Sequence, residues 1–266
     1  MKKSKLFLSP LCIVTLALGI AGTASAAMLD SADFTWKYEF EGAAANTPDN
    51  LDIDGNSSPD MMLYGTAGTV AGGVLTMTSG AYIDDYGWKP ELTNGIWKAN
   101  SFDVRYGFTI EARIKVISDS GLEGATSIVA SPDDPTSAVA NHPDSWMNIW
   151  GSRMTWDFVG NSAYRLLSTE DNTDDFHVFR LGMNPDTLKY AVWRDGVLLA
   201  DDLDDVYADL TGLDRLLLGD LSGSIEGTTD WDYIRLTEGY YAPVPEPATL
   251  SLLLLGGGAA VMRRRR

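Results

Sequence analysis

The sequence predicts an all-β fold, an antiparallel β-sandwich, flanked by an apolar segment at each end. Three observations carry that expectation. Residues 108–116 alternate apolar and polar without a break, and shorter alternating runs recur along most of the chain. Gly, Asp and Asn clusters separate those runs at short spacing. No segment sustains a capped 3.6-residue apolar period.

Taken in order, residues 34–41 and 74–78 read as short strands. In 108–116, Phe108, Ile110, Ala112, Ile114 and Val116 share one face, and Thr109, Glu111, Arg113 and Lys115 share the other. That is a half-buried antiparallel strand. Further strands are expected at 127–131, 153–158, 164–168, 176–181, 188–193, 216–219 and 232–237. Arg194-Asp195-Gly196 reads as a hairpin turn into 197–200, with Gly196 supplying positive φ. No internal repeat or linker divides residues 28–239, so they form one domain. Residues 240–244 read as a short linker.

Net charge is −17, and seven of the 20 basic residues lie at the two ends, so the segment between them is more acidic still. Such a surface repels nucleic acid and anionic lipid, and suits cations, neutral polysaccharide or plain solubility. The single cysteine, Cys12, lies in the N-terminal apolar run. The domain therefore has no disulfide, and a core of this size needs none.

The ends carry addresses. Lys2, Lys3 and Lys5 precede an apolar run and the Ala24-Ser25-Ala26 site, the layout of a secretory signal over 1–26 with cleavage after Ala26. At the other end, Pro245-Glu246-Pro247 can continue neither a helix nor a central strand. Residues 248–262 are uncharged, and Arg263, Arg264, Arg265 and Arg266 close the sequence. A helix over that uncharged run spans roughly 22 Å, short of the ~30 Å hydrocarbon core. It is expected to hold the inner membrane only transiently, arginines inside and domain outside.

Residues 244–249, Val-Pro-Glu-Pro-Ala-Thr, the apolar run and the arginines together resemble the PEP-CTERM sorting signal of Gram-negative bacteria. The resemblance implies export by the secretion machinery and recognition by an exosortase. It also implies cleavage near Pro-Glu-Pro, with release or attachment at the cell surface or extracellular matrix. The middle of the chain is similar to concanavalin A-like, laminin-G-like jelly rolls in three places: 108–116, 177–181 followed by 190–196, and Trp231-Asp232-Tyr233-Ile234-Arg235-Leu236. That likeness implies that 231–237 pairs with 34–40. The family includes lectins, polysaccharide-binding modules, glucanases and lyases, so the fold leaves function open.

Glycoside hydrolysis needs two carboxyls about 5–9.5 Å apart across a cleft. The Glu-x-Asp-x-x-Glu and Glu-x-Asp-x-Glu patterns that the resemblance implies for glucanases are absent, and Glu39 and Glu41 share a strand face without a third carboxylate. The chain has no Gln, which removes the Gln-x-His element the resemblance implies for lyases. His142 precedes a proline, and His177 reads as a structural histidine on a strand. Asp52, Asp54, Asn56 and Asp60 place oxygen ligands around Gly55 in half a calcium loop, making Ca²⁺ the candidate ion. Position twelve of that loop holds Leu63 where a bidentate Glu is wanted, and an Asx-rich turn gives the same pattern. Residues 171–175 and 201–205 read as solvated acidic loops. Eight tryptophans suit sugar stacking. Trp146, Asn148 and Trp150 fall on one strand face, with Trp156 expected to join them from the neighbouring strand. The sequence thus points to a non-enzymatic module that associates with carbohydrate or matrix. A carbohydrate-active enzyme, glucanase- or lyase-like, and a structural matrix protein without specific ligand are the alternatives.

Overall fold

The computed structural model describes residues 36, 38–41, 61–64, 68–79, 87–90, 106–131, 145–156, 164–204, 215–219 and 224–243. The readings at residues 1–26, including Ala24 and Ala26, at Asp52, Asp54, Asn56 and Asp60, at His142, and over 245–266 lie outside them.

Alternating sequence becomes strand throughout. The elements are β1 (Tyr38–Glu41), β2 (Met61–Tyr64), β3 (Thr69–Ala71), β4 (Val74–Ser79), β5 (Gly87–Pro90), β6 (Phe108–Asp119), β7 (Thr126–Ser131) and β8 (Ser145–Ile149). They continue as β9 (Met154–Trp156), β10 (Arg165–Ser168), β11 (His177–Asn184), β12 (Lys189–Arg194), β13 (Val197–Leu203), β14 (Arg215–Gly219) and β15 (Gly227–Glu238). No helix occurs among the described residues. The all-β expectation is the architecture observed.

Eight strands form the larger sheet in the order β13-β12-β11-β6-β15-β4-β3, with β1 also on β15. Five form the smaller sheet, β10-β9-β8-β7-β14, and β2 pairs with β5 in a separate ribbon. Every pairing is antiparallel. The core lies between the two sheets. Phe108, Ile110, Ala112, Ile114 and Val116 of β6 meet Ile128, Met147, Ile149, Met154 and Trp156 from the smaller sheet in one buried cluster. The β12–β13 turn has Asp195 at φ 50° and Gly196 at φ 77°, the doubly positive geometry that matches strand twist.

The last strand pairs with the first, as the jelly-roll likeness implied: Tyr38 stands opposite Leu236 and Glu41 opposite Tyr233. A register shift between Trp231 and Tyr233 organises this edge. Before it, Thr229 and Trp231 are buried; after it, Ile234 and Leu236 are. The inward parity therefore switches, and β4 pairs with 227–231 while β1 pairs with 233–236. Two neighbours can share one edge of β15 because the bulge divides it.

Two sequence readings change. The polar face of 108–116 is not solvated along its length, because Thr109 and Glu111 are buried. Residues 239–243, which follow β15, bond to Gly107 and Thr109 and cover that half of the strand. The segment 201–205 is not all loop, because β13 continues through Asp201 and Asp202 to a buried Leu203.

Candidate functional site

The alternation that puts Met147 and Ile149 into the core turns Trp146 and Asn148 to the opposite face of β8, with Trp150 just beyond the strand end. Their polar atoms are spent on close neighbours. The Trp146 indole N–H donates to Asn148 Oδ1 at 2.9 Å, and the Trp150 indole N–H donates to Thr155 Oγ1 at 3.4 Å. Asn148 is buried and Trp150 is only 7% exposed. The Arg153 guanidinium lies 3.7 Å from the Trp150 ring and 5.7 Å from the ring of Tyr164, a residue 52% exposed. Arg153 thus occupies the Trp150 face where a sugar would stack.

Trp156 does not join this face. On β9 the inward residues are Met154 and Trp156, while Thr155 stands opposite Asn148. Trp156 is fully buried, its ring centroid 5.3 Å from that of Tyr190, and its N–H donates to the Asp204 carbonyl at 2.9 Å. The sequence expectation had the parity of this short strand reversed. Trp231 is also a core residue, its N–H satisfied by Thr229 Oγ1 at 2.9 Å.

An open depression of about 510 Å³ lies at the end of β6, lined by Ile117, Ser118, Asp119, Gly151, Ser152, Thr169, Asp171 and Thr173. Three chain segments meet there, and a buried asparagine joins them. Asn172 Nδ2 donates to the Trp150 carbonyl at 2.7 Å and to that of Arg153 at 3.2 Å. Its Oδ1 accepts from Arg194 Nε at 2.9 Å. Its backbone N–H reaches the Gly151 carbonyl at 2.8 Å, and its carbonyl accepts from the Val116 N–H at 2.9 Å. One residue, through its side chain and its backbone, therefore links β6 and β12 of the larger sheet to the β8–β9 turn of the smaller one.

The flanking acids are exposed and each holds its own loop. Asp119 Oδ2 accepts from the Gly151 N–H at 2.9 Å. Asp171 Oδ1 accepts from the Thr173 N–H at 2.8 Å and its hydroxyl at 2.7 Å. Asp119 Oδ1, Asp171 Oδ2 and the hydroxyls of Ser152 and Thr169 have no hydrogen-bond partner among the described residues. These acceptors and hydroxyls were missed in the sequence. Their one signal is Ser, Thr, Asp and Gly gathered at strand ends, and any solvated turn shares it.

His177 sits between two carboxylates, Nδ1 2.8 Å from Asp195 Oδ2 and Nε2 2.8 Å from Asp174 Oδ1. It is a bridging histidine tying the 171–175 loop to the β12–β13 turn. The hydrogen bond from His177 holds the Asp174 carboxyl below its ordinary range, and those from Thr173 do the same for Asp171. A carboxylate with a depressed folded-state pKa contributes stability above its unfolded pKa and loses it as pH falls through the lower, folded value. The 171–175 loop is therefore expected to stay closed down to the ordinary carboxylate pKa of 3.8 and to open only below it. Amide exchange at Thr173 and Asp175 followed from pH 6 to pH 2 checks this. Loss of protection near pH 5 would contradict it.

Among the described residues, no group of three or more His, Cys, Asp or Glu is placed to hold a metal ion.

Comparison with known proteins separates the tail from the domain. Residues 243–266 match the family model of the PEP-CTERM protein-sorting motif. That motif indicates export and membrane-associated sorting. No curated protein matches the sequence. Among solved structures, the carbohydrate esterase vb_24B_21 from Shiga toxin-encoding bacteriophage phi24B is similar with a TM-score of 0.51 at 13% identity, over 77% of this chain and 99% of that one. The potassium-bound Emp46p carbohydrate recognition domain is similar with a TM-score of 0.44 at 12% identity, over 77% of this chain and 99% of that one. At such identity the likeness to the esterase is one of fold alone.

Proposed function

We propose that this chain is an exosortase-sorted protein of the cell surface or extracellular matrix whose β-sandwich binds a neutral polysaccharide without catalysis, through the depression between Asp119 and Asp171. The observation that carries the reading is the set of unspent oxygens there. Two carboxylate acceptors and two hydroxyls face one opening, beside the half-exposed Ile117. A neutral pyranose offers the complement, hydroxyl donors around its rim and an apolar C–H face. The net charge of −17 opposes an anionic polymer. The hydrogen bonds that depress Asp171 favour a permanent acceptor, whereas a general acid at neutral pH needs a raised pKa. The phage esterase named above is described by carbohydrate in its own right, which agrees with the reading.

The test is thermal melting of the mature chain with a panel of soluble neutral polysaccharides, and with an anionic polysaccharide and calcium as separate arms. A ligand at a hundredfold excess over Kd adds about 2.7 kcal/mol, about 5–10 °C in a domain of this size. The shift is expected with one neutral glycan, absent in Asp119→Asn/Asp171→Asn, and retained in Trp146→Ala. No shift with any neutral glycan, or a shift that survives the double substitution, removes the assignment. Release of new reducing ends would establish the enzyme instead. A shift with calcium alone would make this an ion-binding domain.

A further inference from the structure

The chain leading into the sorting motif is held by the domain. After β15 the backbone turns at Gly239, where φ is +97°. Residues 240–243 then cross the outer face of the larger sheet. The Gly239 N–H donates to the Gly107 carbonyl at 3.0 Å, and the Gly239 carbonyl accepts from Thr109 Oγ1 at 2.7 Å. The Tyr241 N–H donates back to Thr109 Oγ1 at 2.9 Å, and its carbonyl accepts from Arg180 Nη1 at 3.4 Å. Tyr240 lies against Trp193 with ring centroids 5.9 Å apart. Its ring also covers Gly182, where a Cβ would fall 2.8 Å from Tyr240 Cδ2, so only glycine admits it. Burial pushes the Tyr240 hydroxyl up to about 12. Pro243 ends the strap beside Gly196 of the β12–β13 turn.

We infer that the sheet and the processing enzyme compete for this segment, so that exosortase cleavage proceeds only from molecules whose strap has lifted. The matched motif begins at Pro243, the last residue of the strap. Only Val244 and Pro245 lie between Pro243 and Glu246, a span of about 10 Å of extended chain. An enzyme that cuts near Pro-Glu-Pro takes extended chain on both sides of the bond through main-chain hydrogen bonds. The Tyr241 N–H and carbonyl that would serve it are committed to Thr109 and Arg180. Both sets of bonds cannot form at once. The observed rate is then the intrinsic rate scaled by the lifted fraction.

The inference rests on the sorting reading, and the experiment separates the two. Full-length precursor is followed by pulse-chase in a Gram-negative host that carries an exosortase. Tyr240→Ala and Gly182→Val each loosen the strap from a different side. A ten-residue Gly/Ser insertion after Pro243 leaves the strap docked and supplies free chain. Each is expected to raise the cleavage rate about three- to tenfold, as a modest gain in lifted fraction predicts. Tyr240→Ala added to the insertion is expected to give no further gain. Equal rates in all forms, or slower cleavage in Tyr240→Ala, overturn the competition alone. No cleavage in any form, the insertion included, overturns the sorting reading and the competition with it.

Discussion

Replacing Asn172 by alanine is expected to destabilise the domain by about 3–5 kcal/mol. The side chain donates to two carbonyls of the β8–β9 turn and accepts from a buried arginine. Each such bond contributes about 1 kcal/mol, and leaving a buried donor unsatisfied costs about 1–3 kcal/mol more. The loss is thus shared between the three bonds and the Arg194 Nε left without its partner. Arg194 keeps the Asp171 carbonyl at 2.5 Å and the Glu170 carboxylate, so the effect falls short of unfolding. A melting midpoint lower by about 10 °C is the expected reading. A drop under about 3 °C would mean that a water or a shifted loop replaces the amide, and Asn172 would lose its place as the link between the sheets.

The second large effect lies on the far side of the molecule. Glu111 and Arg180 form a buried ion pair, with Glu111 Oε2 accepting from Arg180 Nη2 at 2.5 Å and from Nε at 2.8 Å. Tyr233 donates its hydroxyl to the other oxygen at 3.0 Å, and burial together with the neighbouring Glu111 raises the Tyr233 pKa. Glu111→Ala strands a buried guanidinium and is expected to cost about 3–5 kcal/mol. Glu111→Leu combined with Arg180→Met removes both charges and is expected to recover most of that loss. Chemical denaturation of the single and double variants decides it. A double variant as unstable as the two single losses added together would show no coupling between Glu111 and Arg180, and the stranded-charge account would fail.

Much of the fold was legible because alternation is a local property. The inward row of β6 can be read from one residue to the next, and so can the shared face of Trp146 and Asn148. The bulge in β15 was not legible, because Trp231-Asp232-Tyr233-Ile234 shows no sign that the inward parity changes at Asp232. The strands β3 and β9 have three residues each, too few to establish a period, and Trp156 was misplaced for that reason. The site was hidden for a different reason. Asp119 and Asp171 lie far apart in sequence and converge only because Asn172 draws its loop between the sheets. The strap was hidden behind composition, since Tyr-Tyr-Ala-Pro looks like a spacer until Gly182 and Trp193 are placed beneath it.

The position of β15 sets when this protein can fold. It is the last of the described strands, yet it lies inside the larger sheet, between β6 on one edge and β4 and β1 on the other. Until residue 238 has been exported, β6 lacks one neighbour, β1 lacks the strand it pairs with, and β4 has only β3 beside it. Sheets closed by such distant pairings form slowly. Completion of the larger sheet therefore waits for residues 227–238. The sandwich then closes on the far side, within a few residues of the segment that the membrane enzyme must read.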